Sequence, residues 1–143
     1  MVSIKSLAAT ALAGLALPLA SASATIGSLS TPATATAGET ITATLGTSIY
    51  IQNWEDFSII WGLTSPKVGG QGADGTIYIG TQIGYTALYG TDIEKLNSFT
   101  VNLTIPENQP AGDWLLVAAV PFLVGASGLT DLHSFNSTIT ITA

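Results

Sequence analysis

The chain of 143 residues has no cysteine, no arginine and a single histidine, and its three lysines stand against nine carboxylates. Each shortage removes a class of chemistry. Without cysteine there is no disulfide, no thiol nucleophile, no redox dithiol and no thiolate zinc site. One imidazole, His133, leaves histidine-rich metal sites out of reach. The few cations give no basic footprint, so nucleic acid is not an expected partner and an anionic membrane surface is disfavoured. Long apolar runs are also scarce. The longest beyond the N-terminus, from Trp114 to Val124, is too short to span a bilayer and contains Pro121.

What is present begins with an address. Lys5 precedes an apolar stretch from Leu7 to Ala20, and Ala20-Ser21-Ala22-Ser23-Ala24 supplies small residues for cleavage. Residues 1–24 therefore read as a secretory signal peptide cut after Ala22 or Ala24, and residues 25–143 as a single domain. The apolar stretch falls short of the ~20 residues a membrane span requires, and the C-terminus has no hydrophobic tail that would signal a lipid anchor. The protein is expected to be secreted, with no membrane anchor. Past residue 24, two lysines against nine carboxylates leave a net charge of −7.

The mature part reads as strands and turns. Period-two alternation recurs, as in Ile41, Ala43 and Leu45 or in Phe99, Val101, Leu103 and Ile105, and no helical stripe competes with it. Nineteen threonines after residue 24 favour strand surfaces. Strands are expected at Thr25–Thr31, Thr40–Thr47, Phe57–Leu63, Thr76–Thr86, Ser98–Ile105, Asp113–Phe122 and Ser134–Thr142, with a less regular stretch over Ser48–Asp56 where Ile49, Tyr50, Ile51 and Trp54 could pack. Gly90–Asn97 reads as a turn or one helical turn. The nearly continuous apolar run of Asp113–Phe122 is the pattern of a central strand covered on both faces. About seven strands in this length fit an all-β, immunoglobulin-like antiparallel β-sandwich, with Trp61 in its core. With no cysteine pair, apolar packing is expected to hold the two sheets together alone.

Chemistry is sparse. Glu55-Asp56 is the one adjacent carboxylate pair, and neighbours in a strand point to opposite faces, so it reads as a solvated pair at a strand entrance. His133 reads as a turn histidine, since a general base would need a nucleophile and an orienting acid as well. Gly69-Gly70-Gln71-Gly72 has the glycine content of a phosphate loop but not its strand–loop–helix setting or its lysine, and reads as a flexible hairpin connection. Asp74, Asp92 and Asp131 lack the spacing of a calcium loop. Trp54, Tyr78, Tyr85, Tyr89 and Trp114 could stack on sugars, with Tyr85 and Tyr89 the best placed for a surface role and Trp114 better suited to the core. The expectation is a protein that is not an enzyme and uses no cofactor and no metal. Two sequons, Asn102-Leu103-Thr104 and Asn136-Ser137-Thr138, are out of phase with the apolar residues around them, so both asparagines should face solvent and can carry N-glycan.

Several segments in a fixed order resemble a known family. They are Tyr50-Ile51-Gln52-Asn53-Trp54, Trp61-Gly62-Leu63, Leu88-Tyr89-Gly90, Leu116-Val117-Ala118-Ala119-Val120, Leu123-Val124-Gly125-Ala126-Ser127-Gly128 and Phe135-Asn136-Ser137-Thr138-Ile139-Thr140-Ile141. With the signal peptide and the size, this order resembles the necrosis-inducing secreted protein family of filamentous fungi. The resemblance implies a secreted effector that binds host immune receptor-associated kinases, suppresses pattern-triggered immunity and, for some members, induces host cell death, acting extracellularly or within host tissue. It places the contact candidates in Leu116–Ile141, at Phe122, Leu123 and Val124, where the apolar run is expected to leave its strand at Pro121. The alternative is an extracellular cell-wall or carbohydrate-binding immunoglobulin-like module that takes a cell-wall polysaccharide through Tyr85, Tyr89 or Trp54. Ala37-Gly38-Glu39 resembles the opening of such domains.

Overall fold

The computed structural model describes residues 23–50, 53–92, 97–125 and 127–143. Most of the expected signal peptide, Ile51, and the middle of the Gly90–Asn97 segment lie outside them. Strands β1 (Ser23–Ser30), β3 (Thr40–Tyr50) and β9 (Ser98–Thr104) form one antiparallel sheet in the order β1-β3-β9. The second sheet runs β2 (Thr34–Thr36), β11 (Leu129–Thr142), β10 (Gly112–Val124), β5 (Ser58–Thr64), β8 (Thr81–Ala87), and β4 (Trp54–Asp56) pairs with β10 beside β5. A small hairpin of β6 (Gly70–Gln71) and β7 (Ile77–Tyr78) completes the set. The protein is thus an immunoglobulin-like antiparallel sandwich. The expected seven strands are the seven long ones, and β2, β4, β6 and β7 are short additions.

Alternation builds the core as the sequence pattern requires. Ile41, Ala43 and Leu45 of β3 stand opposite Leu103, Val101 and Phe99 of β9. From the other sheet Ile59, Trp61, Leu63, Leu116, Ala118, Val120, Ile139 and Ile141 face them, all buried. Each fully buried aliphatic side chain contributes about 1.5–3 kcal/mol. Trp61 satisfies its indole N–H by donating to Thr86 Oγ1 at 2.9 Å, so it sits in the core without an unmatched donor. Outward-facing threonines pair across strands, as Thr40 with Thr104 at 3.1 Å and Thr42 with Asn102 at 3.0 Å.

β10 is covered on both faces, as expected. Its outer-face residues Val117 and Ala119 are buried as well as its core-facing ones. The β6–β7 hairpin and the chain returning from it lie over the outer face. A side chain at Gly62 would run into the backbone carbonyl of Ile79, so this close crossing requires glycine. The segment expected to be a hairpin connection is one, β6 and β7 folding as a flap tied by Gly72 N–H to Thr76 O at 2.7 Å and by Gly69 N–H to Ser65 O at 2.9 Å. The strand expected over Thr76–Thr86 is divided in two because Gly80, at φ +69°, turns the chain between β7 and β8.

Three further expectations are corrected. β10 does not end at Pro121. It continues to Val124, and the missing proline N–H leaves no gap because the neighbouring Phe57 carbonyl already accepts from Leu88 and Tyr89, while Phe57 N–H donates to Pro121 O at 2.9 Å. β11 starts at Leu129 rather than Ser134, so His133 is a strand residue and not a turn residue. Ile49, near the end of β3, is exposed rather than packed.

Candidate functional site

The extra length of β10 and β11 carries the hairpin beyond the aliphatic core, and this projecting corner is where the contact candidates lie. The ladder between the two strands runs in one register from Gly112–Ile141 to Val124–Leu129. On the other side of β10, β4 pairs Asp56 with Phe122, Glu55 with Leu123 and Trp54 with Val124. Residues directly opposite one another share a face. Trp54, Asp56, Phe122, Val124, Asp131 and His133 therefore all lie on the core-facing side of the sheet, while Glu55, Leu123, Pro121 and Leu132 lie on the other.

Aromatic rings fill the core-facing side. Trp54 stacks on Phe122 with centroids 4.4 Å apart and planes 8° from parallel. His133 lies 4.2 Å from Phe122 and 5.2 Å from Trp54, and Phe135 meets its edge at 6.3 Å. Tyr50, at the end of β3, closes on Trp54 edge-on at 5.1 Å. Each such ring pair is worth about 0.5–1.5 kcal/mol beyond its buried area.

Beneath the rings lies Asp56, only 1% exposed. One carboxylate oxygen accepts Trp54 Nε1–H at 2.7 Å and the other accepts the Ile26 backbone N–H at 2.8 Å. Ile26 belongs to β1 of the opposite sheet, so Asp56 bridges the two layers. This corrects two expectations. Asp56 is not part of a solvated pair, and apolar packing does not hold the sheets alone. The physical reason is that a carboxylate can be buried when charge-assisted donors meet both of its oxygens. Among the described residues, no buried side-chain nitrogen or oxygen lacks a partner. The sequence offered one sign of this tie, an aspartate two residues after a tryptophan, but nothing local pointed to Ile26.

The three contact candidates separate. Phe122 is 6% exposed and belongs to the ring cluster, whereas Leu123 and Val124 are half-buried. Leu132 (43% exposed) and Leu129 (61%) add apolar surface across the hairpin. The ring neighbours of His133 among the described residues are Trp54, Phe122 and Phe135, so the imidazole serves as a packing ring. No group of three or more His, Cys, Asp or Glu side chains among the described residues could hold a metal ion.

The other candidates lie elsewhere. Tyr85, on the outer face of edge strand β8, is 62% exposed, and Tyr89, against Phe57, is 69% exposed. Trp114 is half-buried and donates to Pro110 O at 2.9 Å. Both sequon asparagines are exposed on outward faces. Asn102 Oδ1 accepts from Thr42 across β3 and β9. Asn136 lies against the flap, where a Cβ at Gly70 would come within 2.9 Å of its Nδ2. In the flap, Thr76 N–H donates to Asp74 Oδ1 at 3.0 Å, and the Thr76 backbone and hydroxyl hold the Asp74 carboxyl below its ordinary value.

Comparison with known proteins covers nearly the whole of this architecture. The profile of the Nis1 family matches residues 22–140. Necrosis-inducing secreted protein 1 of Colletotrichum orbiculare is 30% identical over 132 residues, 92% of this chain and 78% of the relative. The protein of the same name from Colletotrichum higginsianum is 31% identical over 125 residues, 84% of this chain and 80% of the relative. Among solved structures, a superoxide reductase from Ignicoccus hospitalis aligns with TM-score 0.48 at 10% identity, covering 82% of each chain, too distant a likeness to carry functional weight.

Proposed function

The chain belongs to the Nis1 family and is a secreted protein, and from that premise we propose that it is an effector that works by binding a host protein, an immune receptor-associated kinase, and so suppresses pattern-triggered immunity. The observation that carries the reading is the family match over residues 22–140, which spans both sheets and the projecting corner. The corner supports it physically, because half-buried Leu123 and Val124 and exposed Leu132 and Leu129 offer apolar contact area on the β10–β11 hairpin. We assign no enzymatic activity and no cofactor.

The test is co-precipitation of the folded protein with kinase domains of immune receptor complexes, followed by expression in plant leaves to score cell death. Binding that weakens for Leu123→Asp and Leu132→Asp at unchanged melting temperature supports the reading. Folded protein that retains no such kinase refutes it. A second reading, a wall-binding module, has the exposure of Tyr85 and Tyr89 in its favour. It requires retention on chitin or glucan that is lost in Tyr85→Ala and Tyr89→Ala.

Processing and modification follow from the same geometry. Ser23 and Ala24 are paired with Tyr50 and Ile49 in β1, and Ala24 is buried. Of the two expected cleavage points, the one after Ala22 keeps this pairing. Intact-mass measurement of the secreted protein should give Ser23 as the first residue. Asn102, clear of the flap, is the better glycan acceptor, and Asn136 the poorer.

A further inference from the structure

The two long strands of the hairpin are not equally covered. β10 has β4 and β5 along its far side, whereas among the described residues β11 has only the three residues of β2, which pair in parallel with Thr140–Thr142. Thr31 Oγ1 meets Ser137 Oγ at 2.7 Å and closes the gap just beyond that end. From Leu129 to Asn136, no strand among the described residues pairs with the outer side of β11.

Two hydrogen bonds show which amides face that open side. Thr140 N–H donates to Ala33 O on the β2 side, and Leu132 N–H donates to Asp131 Oδ1 at 2.8 Å. Both are even-numbered residues in a ladder without a register shift, and in an antiparallel pair alternate residues turn their N–H and C=O away from the partner. Thr130, Leu132, Ser134 and Asn136 therefore present their backbone groups outward. The result is a strip of hydrogen-bonding edge with four outward-facing residues, flanked by the ring cluster on one face and by Leu132 on the other.

An open edge of this kind is a template for another strand, and its charge selects which one. Asp131 stands on the strip with its carboxylate at the Leu132 amide. A second copy of this chain, net −6, would bring another Asp131 onto the same short strip, whereas a segment carrying lysine or arginine would meet a complementary charge. We infer that the edge Thr130–Asn136 of β11 is a strand-addition site for an extended segment of a partner protein, with alternating apolar side chains and a cation opposite Asp131. This deepens the protein-binding reading above by naming how the partner is held, and it can be tested without the kinase.

The probes are an alternating Lys-Val peptide of about eight residues, a typical strand length, and its Glu-Val counterpart, each titrated into the isotope-labelled secreted protein. The expected result is that the Lys-Val peptide shifts the Leu132, Ser134 and Asn136 amides and protects them from exchange, while the Glu-Val peptide does not. Ser134→Pro removes an outward N–H and no ladder bond, so it should leave the fold intact and weaken the peptide at least about tenfold. Asp131→Lys should reverse the preference between the two peptides. Absence of any edge shift with the Lys-Val peptide, equal shifts with both peptides, or binding unchanged in folded Ser134→Pro would each overturn the inference. A concentration-dependent dimer that Ser134→Pro abolishes would also overturn it, by making a second copy the occupant. Kinase binding that survives Ser134→Pro would place the kinase elsewhere. Peptide capture without kinase binding would refute the kinase reading and leave this one standing.

Discussion

The middle of the sandwich and its projecting corner are closed by different physics. In the middle, two sheets face each other across aliphatic side chains and one tryptophan, and nearly every contributor is fully buried. At the corner, stacked rings and one carboxylate do the closing, and the surrounding residues grade from buried Phe122 through half-buried Val124 to exposed Leu129. The contrast shows how a chain without cysteine can still fasten one layer to the other. A disulfide would act mainly by constraining the unfolded chain, whereas Asp56 acts in the folded state by accepting donors from both sheets. That bond is directional, so it fixes where β1 lies relative to β4, which apolar contact alone does not.

The largest expected effect comes from the middle. Trp61→Ala should cost about 4 kcal/mol of stability by leaving a large cavity and stranding the Thr86 hydroxyl; denaturant unfolding measures it. Next comes the tie at the corner. Asp56→Ala should cost about 3 kcal/mol, because the Ile26 and Trp54 N–H groups lose their acceptors in a buried setting. Asp56→Asn, with one acceptor oxygen left, should lose about half as much. If Asp56→Ala costs less than about 1 kcal/mol, the corner is not fastened this way and the comparison fails.

Smaller effects sharpen it. Trp54→Phe keeps a ring on Phe122 but removes the donor to Asp56, and should cost about 1–2 kcal/mol. Hydrogen exchange should show the loss first at Ile26 and along β4, with Ile59 to Leu63 unchanged. The smallest effect lies in the flap. The Asp74 carboxyl is held below its ordinary value by Thr76, so the order it lends is complete above that ordinary value and is lost as pH falls through the depressed one. An acid titration followed at the Thr76 amide should show release there, while the midpoint of global unfolding stays unmoved across that step.

A difference between the two regions in the sequence explains why one was legible and the other was not. Ile59, Trp61 and Leu63 alternate with a clear period, and the structure buries all three on one face. Phe122 and His133 carry no such signal. Pro121 suggested a strand end, and the glycines and polar residues from Gly125 to Asp131 suggested a turn that ran up to His133. Both readings failed because a proline in a strand is harmless when its neighbour's carbonyl is already engaged, and because a polar strand is stable when its partner strand supplies the ladder. The edge of β11, open among the described residues, could not be read either, since an edge is defined by which strands lie beside it.

The sequence by itself determined what depends on composition and short-range period: secretion, an all-β sandwich, the core faces of β3, β5 and β9, and the outward phase of Asn102 and Asn136. Only the tertiary structure decided that Asp56 is buried against Ile26, that Phe122 packs against both Trp54 and His133, and that no strand among the described residues pairs with the outer side of β11 from Leu129 to Asn136. The reason is range. Side-chain alternation repeats every two residues and is written into the chain locally, whereas a hydrogen bond between residues 26 and 56, or the lack of a neighbour along β11, depends on how distant strands are ordered in the sheets.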